Sequence, residues 1–240
     1  HIIGKPINKV RFIMSPVGGG FGGKEDMIYQ GMLAIVAMKT HRPVQLNFTR
    51  EESIIASAKR HPSRVHYKMG LKWNGEITAI QFKMISDGGA YGMSSEGVMR
   101  KAAILSCGPY AVDNLSVDTT AVYTNNTPSG AFRTFGGMQA QFATESMMDM
   151  AAEALELDPF EIRRINMMKI GSLTHTQHKL TAASLDRCLD AAEKESCWEK
   201  GTPNVRGDKR SDLGGDDTRA PCTLGARFTN DKNSDKERVA

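Results

Sequence analysis

Polar and apolar residues alternate in five segments of the first half of the chain, and this period of two predicts strands. The segments are residues 8–15, 43–49, 65–71, 76–86 and 115–124. Trp73, Asn74 and Gly75 stand between the third and fourth segments and form a good signal for a hairpin turn. The first half of the chain is therefore predicted to be rich in sheet.

Helical periodicity is strongest in the second half of the chain. Apolar residues recur at helical spacing in residues 140–157, 159–168 and 184–198, and an earlier helix is predicted for residues 25–38. Pro159 fits the first turn of its helix, where its missing N–H is not needed. Strands and helices do not alternate regularly, so the predicted fold class is α+β, with a mixed sheet and packed helices.

Composition sets the broad class of the protein. With 240 residues, of which 40% are hydrophobic, the chain is long enough for one large domain or two small ones. Its net charge of +4 is spread out and gives no reason to expect nucleic acid, and its apolar runs are far shorter than the roughly 20 residues of a membrane helix. Four cysteines stand far apart without metal-ligand spacing or a signal peptide, so we expect reduced thiols in the cytoplasm.

The two ends of the chain differ from its centre. Residues 1–200 are predicted to form one domain, whereas residues 201–240 are charged, with isolated apolar residues at neither helical nor strand spacing. We expect this tail to be disordered or foreign to the domain, as a frameshift or a truncated reading frame would produce. The chain opens at His1 without a methionine and soon enters a predicted strand, so we expect a fragment of a longer polypeptide.

Five glycines between Gly18 and Gly23, with Phe21 among them, separate the first predicted strand from the first predicted helix. Without Cβ atoms, the backbone N–H groups can approach an anionic or electron-rich ligand closely at the positive end of a helix. The segment satisfies the P-loop spacing G-x-x-x-x-G-K through Lys24, but Glu25 stands where the Mg²⁺-binding Ser or Thr is required. A glycine-rich turn without a ligand is another alternative.

A second glycine-bearing loop, residues 129–139, also precedes a predicted helix. The sequences GGGFGGKE and GAFRTFGGMQ together resemble the paired molybdopterin-site loops of the xanthine dehydrogenase and aldehyde oxidase family, and those of xanthine dehydrogenase most of all. The resemblance covers roughly residues 1–200 and leaves the tail out. Further similarities follow in the same order at Arg60-His61-Pro62, Asn74-Gly75, Pro109-Tyr110, Ile165-Asn166, Gly171-Ser172-Leu173-Thr174-His175 and Cys188-Leu189.

The resemblance implies a molybdenum hydroxylase, an oxidoreductase whose molybdopterin-type cofactor inserts a water-derived oxygen into a C–H bond of a heterocycle or aldehyde. The metal and the pterin supply that chemistry, while the protein positions the substrate and stabilises charge. Phe21 and Arg133 match the positions whose backbone contacts the molybdenum ligands. The residues that the resemblance assigns to the cofactor are Gly20, Phe21, Gly22, Ala131, Phe132 and Arg133.

Three further positions match substrate-side residues of that family. Glu25 matches a glutamate that hydrogen-bonds the heterocycle, which favours a xanthine- or purine-like substrate; an acidic residue in the first helical turn is its alternative role. Phe135 matches an aromatic residue that packs on the substrate ring, with a core phenylalanine as the alternative. Lys101 stands where such enzymes have an arginine, unless one register step places Arg100 there, and a surface Arg-Lys pair is the alternative. Glu25 and Lys101 (or Arg100) are thus the candidate catalytic residues.

The general base of the family, a glutamate in a later domain, has no counterpart in the chain, so we expect the chain alone to be inactive. We expect 2Fe-2S clusters and FAD only on missing domains or partner subunits, together with the rest of the molybdenum domain. Two alternatives remain, a catalytically inactive remnant and a glycine-loop nucleotide-binding module, which Glu25 disfavours. The sequence does not specify the substrate, the electron acceptor, the nucleotide form of the pterin or the oligomeric state.

Overall fold

The computed structural model describes residues 3–27, 29–196 and 198. A short 3-10 turn, Ile7–Lys9, precedes six α-helices and three strands in this part of the chain. The predicted tail, residues 201–240, lies outside the described residues, so the boundary at residue 200 stays a prediction. The helices are α1 Gln30–Thr40, α2 Arg50–Ala56, α3 Ser95–Ile104, α4 Gly137–Leu155, α5 Pro159–Asn166 and α6 Leu185–Glu195; the strands are β1 Ser63–Leu71, β2 Ile77–Gly89 and β3 Leu115–Tyr123.

The three strands form a mixed sheet in the order β1-β2-β3. Strand β2 runs antiparallel to β1, with Met69 opposite Ile80, and parallel to β3, with Ile80 opposite Leu115. The β1–β2 hairpin turns at Gly75, whose φ of +87° is the left-handed conformation that glycine adopts readily. The predicted hairpin and the predicted mixed sheet are confirmed.

The core lies between the sheet and the helices of the second half. Side chains alternate along β2, so that Ile80, Phe82 and Met84 are buried while the residues between them are exposed. Helix α4 packs against β1, α3 and α5, and α3 packs against β3. Helices α4, α5 and α6 confirm the three helices predicted in this half, with shifts at their ends.

Two of the five predicted strands, residues 8–15 and 43–49, are wrong. The first segment begins inside the 3-10 turn and continues as an exposed, irregular chain, and the second is an irregular connection between α1 and α2. Alternation is a local signal, whereas a strand also needs a neighbouring edge to which its N–H and C=O groups can bond. Between residues 3 and 57 only Gly31 is buried among the described residues, so this part of the chain lacks such an edge.

The helix predicted at residues 25–38 begins later, at Gln30, and ends at Thr40, followed by His41 with a φ of +52°. Helical periodicity did not predict two helices, α2 and α3. The sequence signal for α2 is a capping box, in which the Thr49 hydroxyl accepts from the Glu52 N–H and the Glu52 carboxylate accepts from the Thr49 N–H. None of the helices in the described part of the chain is long and apolar enough to span a bilayer.

Asn166, at the end of α5, joins that helix to the β1–β2 hairpin. Its side-chain oxygen accepts from the Ile77 N–H at 2.8 Å, and its amide donates to the carbonyls of Gly75 and Ile162, each at 2.8 Å. The residue is buried, so each of these groups depends on the others for its hydrogen bond.

We expect Asn166→Ala to lower the free energy of unfolding by roughly 2–4 kcal/mol, because the buried partners lose their hydrogen bonds. Urea unfolding followed by circular dichroism measures the change. Asn125→Ala is the matched control, since Asn125 is exposed, and should change the stability by less than about 0.5 kcal/mol. Equal losses in the two variants would contradict a structural role for the Asn166 network.

Candidate functional site

The first glycine loop, residues 18–25, closes upon itself. The Gly23 N–H donates to the Gly20 carbonyl at 3.0 Å and the Glu25 N–H to the Gly22 carbonyl at 3.1 Å. The Lys24 ammonium folds back and donates to the Gly19 carbonyl at 2.5 Å. A P-loop lysine must reach outward to phosphate oxygens, so this inward contact adds to the case against the nucleotide-binding alternative.

The second loop, residues 129–139, contains a run of left-handed backbone. Thr134 has a φ of +76°, Phe135 of +50° and Gly136 of +97°. Such a conformation costs about 1–3 kcal/mol at a residue other than glycine and persists only where the surroundings hold it. The Phe135 N–H donates to the Phe132 carbonyl at 2.7 Å, and helix α4 starts directly afterwards at Gly137.

The two loops touch through their backbones at Gly22. A Cβ on Gly22 would lie 2.5 Å from the Ala131 carbonyl oxygen and 2.8 Å from the Phe132 nitrogen, and the φ of Gly22 is +86°. Only glycine permits this approach, for both steric and conformational reasons. The structure therefore brings together the two predicted cofactor segments, which are far apart in the sequence.

Backbone N–H groups are left free on both sides of this contact. In the part of the chain that the structure describes, the N–H groups of residues 18–22 and 131–134 donate no hydrogen bond. Runs of unpaired N–H groups form concave sites that bind anions and other electron-rich groups. These loops therefore fit an anionic or oxygen-rich ligand that approaches their backbones.

Aromatic and guanidinium side chains surround the junction of the loops. The guanidinium carbon of Arg133 lies 5.9 Å from the ring centroid of Phe21, and that of Arg60 lies 4.9 Å from the ring centroid of Phe132. Arg60 also donates to the Arg133 carbonyl at 2.9 Å. Phe21 is 66% exposed, so its ring lies outside the core.

The predicted substrate-side residues lie on different elements: Glu25 in the first loop, Phe135 in the second, and Lys101 and Arg100 on α3. Glu25 is exposed and makes no hydrogen bond or ion pair through its side chain with any described residue. It lies before α1, which has no acidic residue in its first turn, so the alternative role of Glu25 as a first-turn residue of that helix is wrong. Phe135 is half-buried and packs against Gly97 of α3, where an added Cβ would lie 3.0 Å from its ring.

Lys101 and Arg100 are both exposed on α3, and neither side chain pairs with another described residue. Lys101 follows Gly97 by four positions and therefore lies on the same face of the helix, one turn beyond the contact with Phe135. Arg100 follows Gly97 by three positions and lies beside that face. The geometry is thus compatible with either residue as the positive charge.

Buried polar groups near the loops include Asp26, which sequence reasoning did not single out, and His61, which belongs to the Arg60-His61-Pro62 similarity. The Asp26 carboxylate oxygen Oδ2 is buried without a hydrogen-bond partner among the described residues, and a Cβ on Gly130 would lie 2.6 Å from it. His61 is 2% exposed and its Nε2 lies 2.7 Å from the Ser95 hydroxyl. Burial lowers the pKa of His61, against the opposing charge of Asp87, so the ring favours the neutral form.

Metal-ligating side chains do not converge in the described part of the chain, where no group of three His, Cys, Asp or Glu could hold an ion. A metal at the loop junction would thus need ligands from a cofactor instead of a side-chain set. Gly22 and the free N–H groups offer such a cofactor backbone contacts.

Comparison with known proteins assigns the chain to a family. Residues 1–167, more than half of the chain, match the family described as molybdopterin cofactor-binding domain. The chain belongs to this family. More broadly, it represents the molybdopterin-binding domain of the xanthine dehydrogenase and aldehyde oxidoreductase enzymes, and the predicted resemblance and the predicted molybdenum cofactor are confirmed at this level.

Curated relatives of the chain include proteins with named substrates. The chain is 39% identical over 202 residues to the nicotinate dehydrogenase large molybdopterin subunit of Eubacterium barkeri, covering 84% of this chain and 48% of that protein. It is 35% identical over 200 residues to a probable xanthine dehydrogenase subunit of Bacillus subtilis, covering 83% of this chain and 27% of that protein. The chain thus spans about half the length of the first relative and less of the second.

Solved structures share the fold of this molybdopterin-binding domain. The aldehyde oxidoreductase of Desulfovibrio gigas superposes with a TM-score of 0.69 at 31% identity, covering 74% of this chain and 20% of that protein. The quinoline 2-oxidoreductase of Pseudomonas putida 86 superposes with a TM-score of 0.68 at 28% identity, covering 75% of this chain and 24% of that protein.

We expect Gly22→Ala to separate the two loops, because the new Cβ overlaps the Ala131 carbonyl and opposes the positive φ at a combined cost of about 1–3 kcal/mol. Trypsin cleavage after the exposed Arg133 should then accelerate by roughly tenfold, since proteolysis follows the opened population. Gly18→Ala is the matched control, with no atom within 4 Å of its added Cβ. Similar cleavage rates in both variants would argue against the loop contact.

Proposed function

We propose that this chain forms one wall of a molybdenum-cofactor pocket in an enzyme that hydroxylates a C–H bond of an N-heterocycle, with water as the source of oxygen. The supporting observation is the contact of the two glycine loops at Gly22 and Ala131, with free backbone N–H groups on both sides. Because the chain belongs to the molybdopterin cofactor-binding family, we assign a molybdopterin cofactor to this surface.

Six loop residues are proposed to hold the cofactor through their backbones. When bound, the molybdopterin-type cofactor would supply the oxygen-transfer and two-electron redox chemistry. The two loops hold their free N–H groups in fixed directions before the reaction. Little reorganisation of the protein is therefore needed when negative charge develops in the transition state. Phe21 and Arg133 are the residues proposed to lie next to the metal ligands. The six are Gly20, Phe21, Gly22, Ala131, Phe132 and Arg133.

The substrate side is proposed to consist of three side chains. The free carboxylate of Glu25 hydrogen-bonds the ring nitrogen or carbonyl of the heterocycle, and the ammonium of Lys101, or the guanidinium of Arg100, offsets the negative charge that develops. The exposed part of the Phe135 ring packs on the substrate ring. The two curated relatives named above, whose names refer to nicotinate and xanthine, are 39% and 35% identical to the chain, whereas the aldehyde oxidoreductase is 31% identical, and this favours an N-heterocycle over an aldehyde.

The rest of the catalytic machinery is proposed to lie on other polypeptide. A general base, the remaining molybdenum domain, 2Fe-2S clusters and FAD belong to further domains or partner subunits, and the chain by itself is inactive. The share of each relative that the chain covers, 48% or less in the two curated relatives above, supports this view. Residues 1–200 are the proposed extent of the domain in this chain.

Molybdenum and pterin analysis tests the proposed cofactor. We expect the chain, when co-expressed with its genomic neighbours, to co-purify with molybdenum and a pterin in about equal amounts, and Gly18→Ala to retain both. Gly22→Ala should lose most of the metal, because the loop contact is disrupted. Wild-type protein with neither molybdenum nor pterin would favour the inactive remnant instead.

Glu25→Val in the complete enzyme tests the substrate. We expect kcat/KM for an N-heterocycle to fall by roughly tenfold to a hundredfold, since a charged hydrogen bond is lost, while aldehyde oxidation changes little. Glu153→Val on α4 is the matched control, because Glu153 is also an exposed carboxylate but lies away from both loops. Equal losses for the heterocycle and the aldehyde would remove Glu25 from substrate recognition.

A further inference from the structure

The segment just before β1 runs alongside the start of the second loop. The Lys59 N–H donates to the Pro128 carbonyl at 3.2 Å, and the Gly130 N–H donates to the Lys59 carbonyl at 3.0 Å. These two bonds form a short parallel bridge between Lys59 and Ser129. The bridge directs the next side chain, Arg60, along the second loop.

Arg60 makes three separate contacts on that loop and its helix. One guanidinium nitrogen, Nη2, donates to the Arg133 carbonyl at 2.9 Å, and Nη1 donates to the Gln139 side-chain oxygen at 3.4 Å. The guanidinium carbon lies 4.9 Å from the ring centroid of Phe132. A planar fork that also stacks on an aromatic ring is a combination that lysine cannot reproduce.

The bond to the Arg133 carbonyl fixes more than one atom. The peptide group is planar and trans, so a carbonyl held toward Arg60 directs the N–H of Thr134 to the opposite side. That N–H is one of the free groups among the described residues, and Thr134 and Phe135 are the two residues of the second loop, other than glycine, in left-handed conformation. Arg60 therefore contacts the loop where its conformation most needs support.

The neighbouring residue, His61, contacts α3, the helix that packs on Phe135. Its Nε2 lies 2.7 Å from the Ser95 hydroxyl at the start of α3, and its carbonyl accepts from the Gln139 amide at 3.4 Å. Gly97 of the same helix packs on the Phe135 ring. Two consecutive residues thus connect the second loop and α3, which meet at Phe135.

We propose that Arg60 is a positioning residue, which holds residues 132–135 in the conformation that presents the backbone N–H groups of residues 132–134 and the Phe135 ring to the pocket. The role in the pocket rests on the proposed function, whereas the effect on loop conformation does not. Arg60 acts through Arg133 and Phe132 and is not itself proposed to contact the substrate or the cofactor.

Amide hydrogen exchange of the full chain tests the effect on loop conformation. The amides of Phe135 and Gly137 report on the loop, since they bond to the carbonyls of Phe132 and Thr134 within it. In Arg60→Gln we expect their exchange to rise on the order of tenfold, and in Arg60→Lys by less, because lysine keeps the charge and one donor. Amides of β2 should be unchanged. Arg64→Gln on β1, where Arg64 is exposed, is the matched control and should leave all rates unchanged.

The outcomes separate positioning from general stability. Unchanged exchange at Phe135 and Gly137 would overturn the proposal, and so would an increase shared equally by the amides of β2. In the molybdenum-loaded enzyme, Arg60→Gln should also alter the electron paramagnetic resonance spectrum of molybdenum(V), while Arg64→Gln leaves it unchanged; identical spectra would overturn the role in the pocket. Wild-type protein without molybdenum would instead overturn the proposed function, and the exchange data would still decide the effect of Arg60 on the loop.

Discussion

The approach of the Gly22 backbone to the Ala131 carbonyl is the constraint on which the rest of the site depends. It joins a loop from an exposed part of the chain to a loop that rests on the core, and it leaves room for no side chain. Backbone N–H groups without a hydrogen bond to a described residue lie on both sides of this contact, in residues 18–22 and 131–134. Backbone donors of this kind suit a cofactor that carries the reactive metal. In that case the protein does not need to supply metal ligands and contributes only the shape of the pocket and fixed dipoles.

The sheet explains why the second loop can hold strained residues. The end of β2 holds the start of this loop, where the Ser129 N–H donates to the Gly88 carbonyl, and α4 continues directly from its end. Gly136 packs so closely on α3 that an added Cβ would lie 2.3 Å from the Val98 carbonyl oxygen. This loop is fixed at both ends and packs against a helix. Its contacts with the rest of the fold therefore offset the conformational strain of Thr134 and Phe135 in left-handed conformation.

Several features could be predicted because their signals are local. Alternation predicted the three paired strands, Asn74-Gly75 predicted the hairpin, and the two glycine loops led to the correct family. The strands at residues 8–15 and 43–49 were wrong because pairing depends on a distant edge that local alternation does not reveal. The roles of Glu25 and Lys101 rest on resemblance, and their unpaired, exposed side chains are compatible with substrate contacts.

The sequence by itself determined the family of this chain, since the two glycine-bearing loops led to the molybdopterin cofactor-binding family, which residues 1–167 match. Only the tertiary structure decided which groups meet. It joined Gly22 to Ala131, placed Arg60 on the Arg133 carbonyl, and left Glu25 ahead of α1 instead of in its first turn. The physical reason is that such contacts depend on the packing of elements distant in sequence, and a local pattern of side chains does not encode that distance.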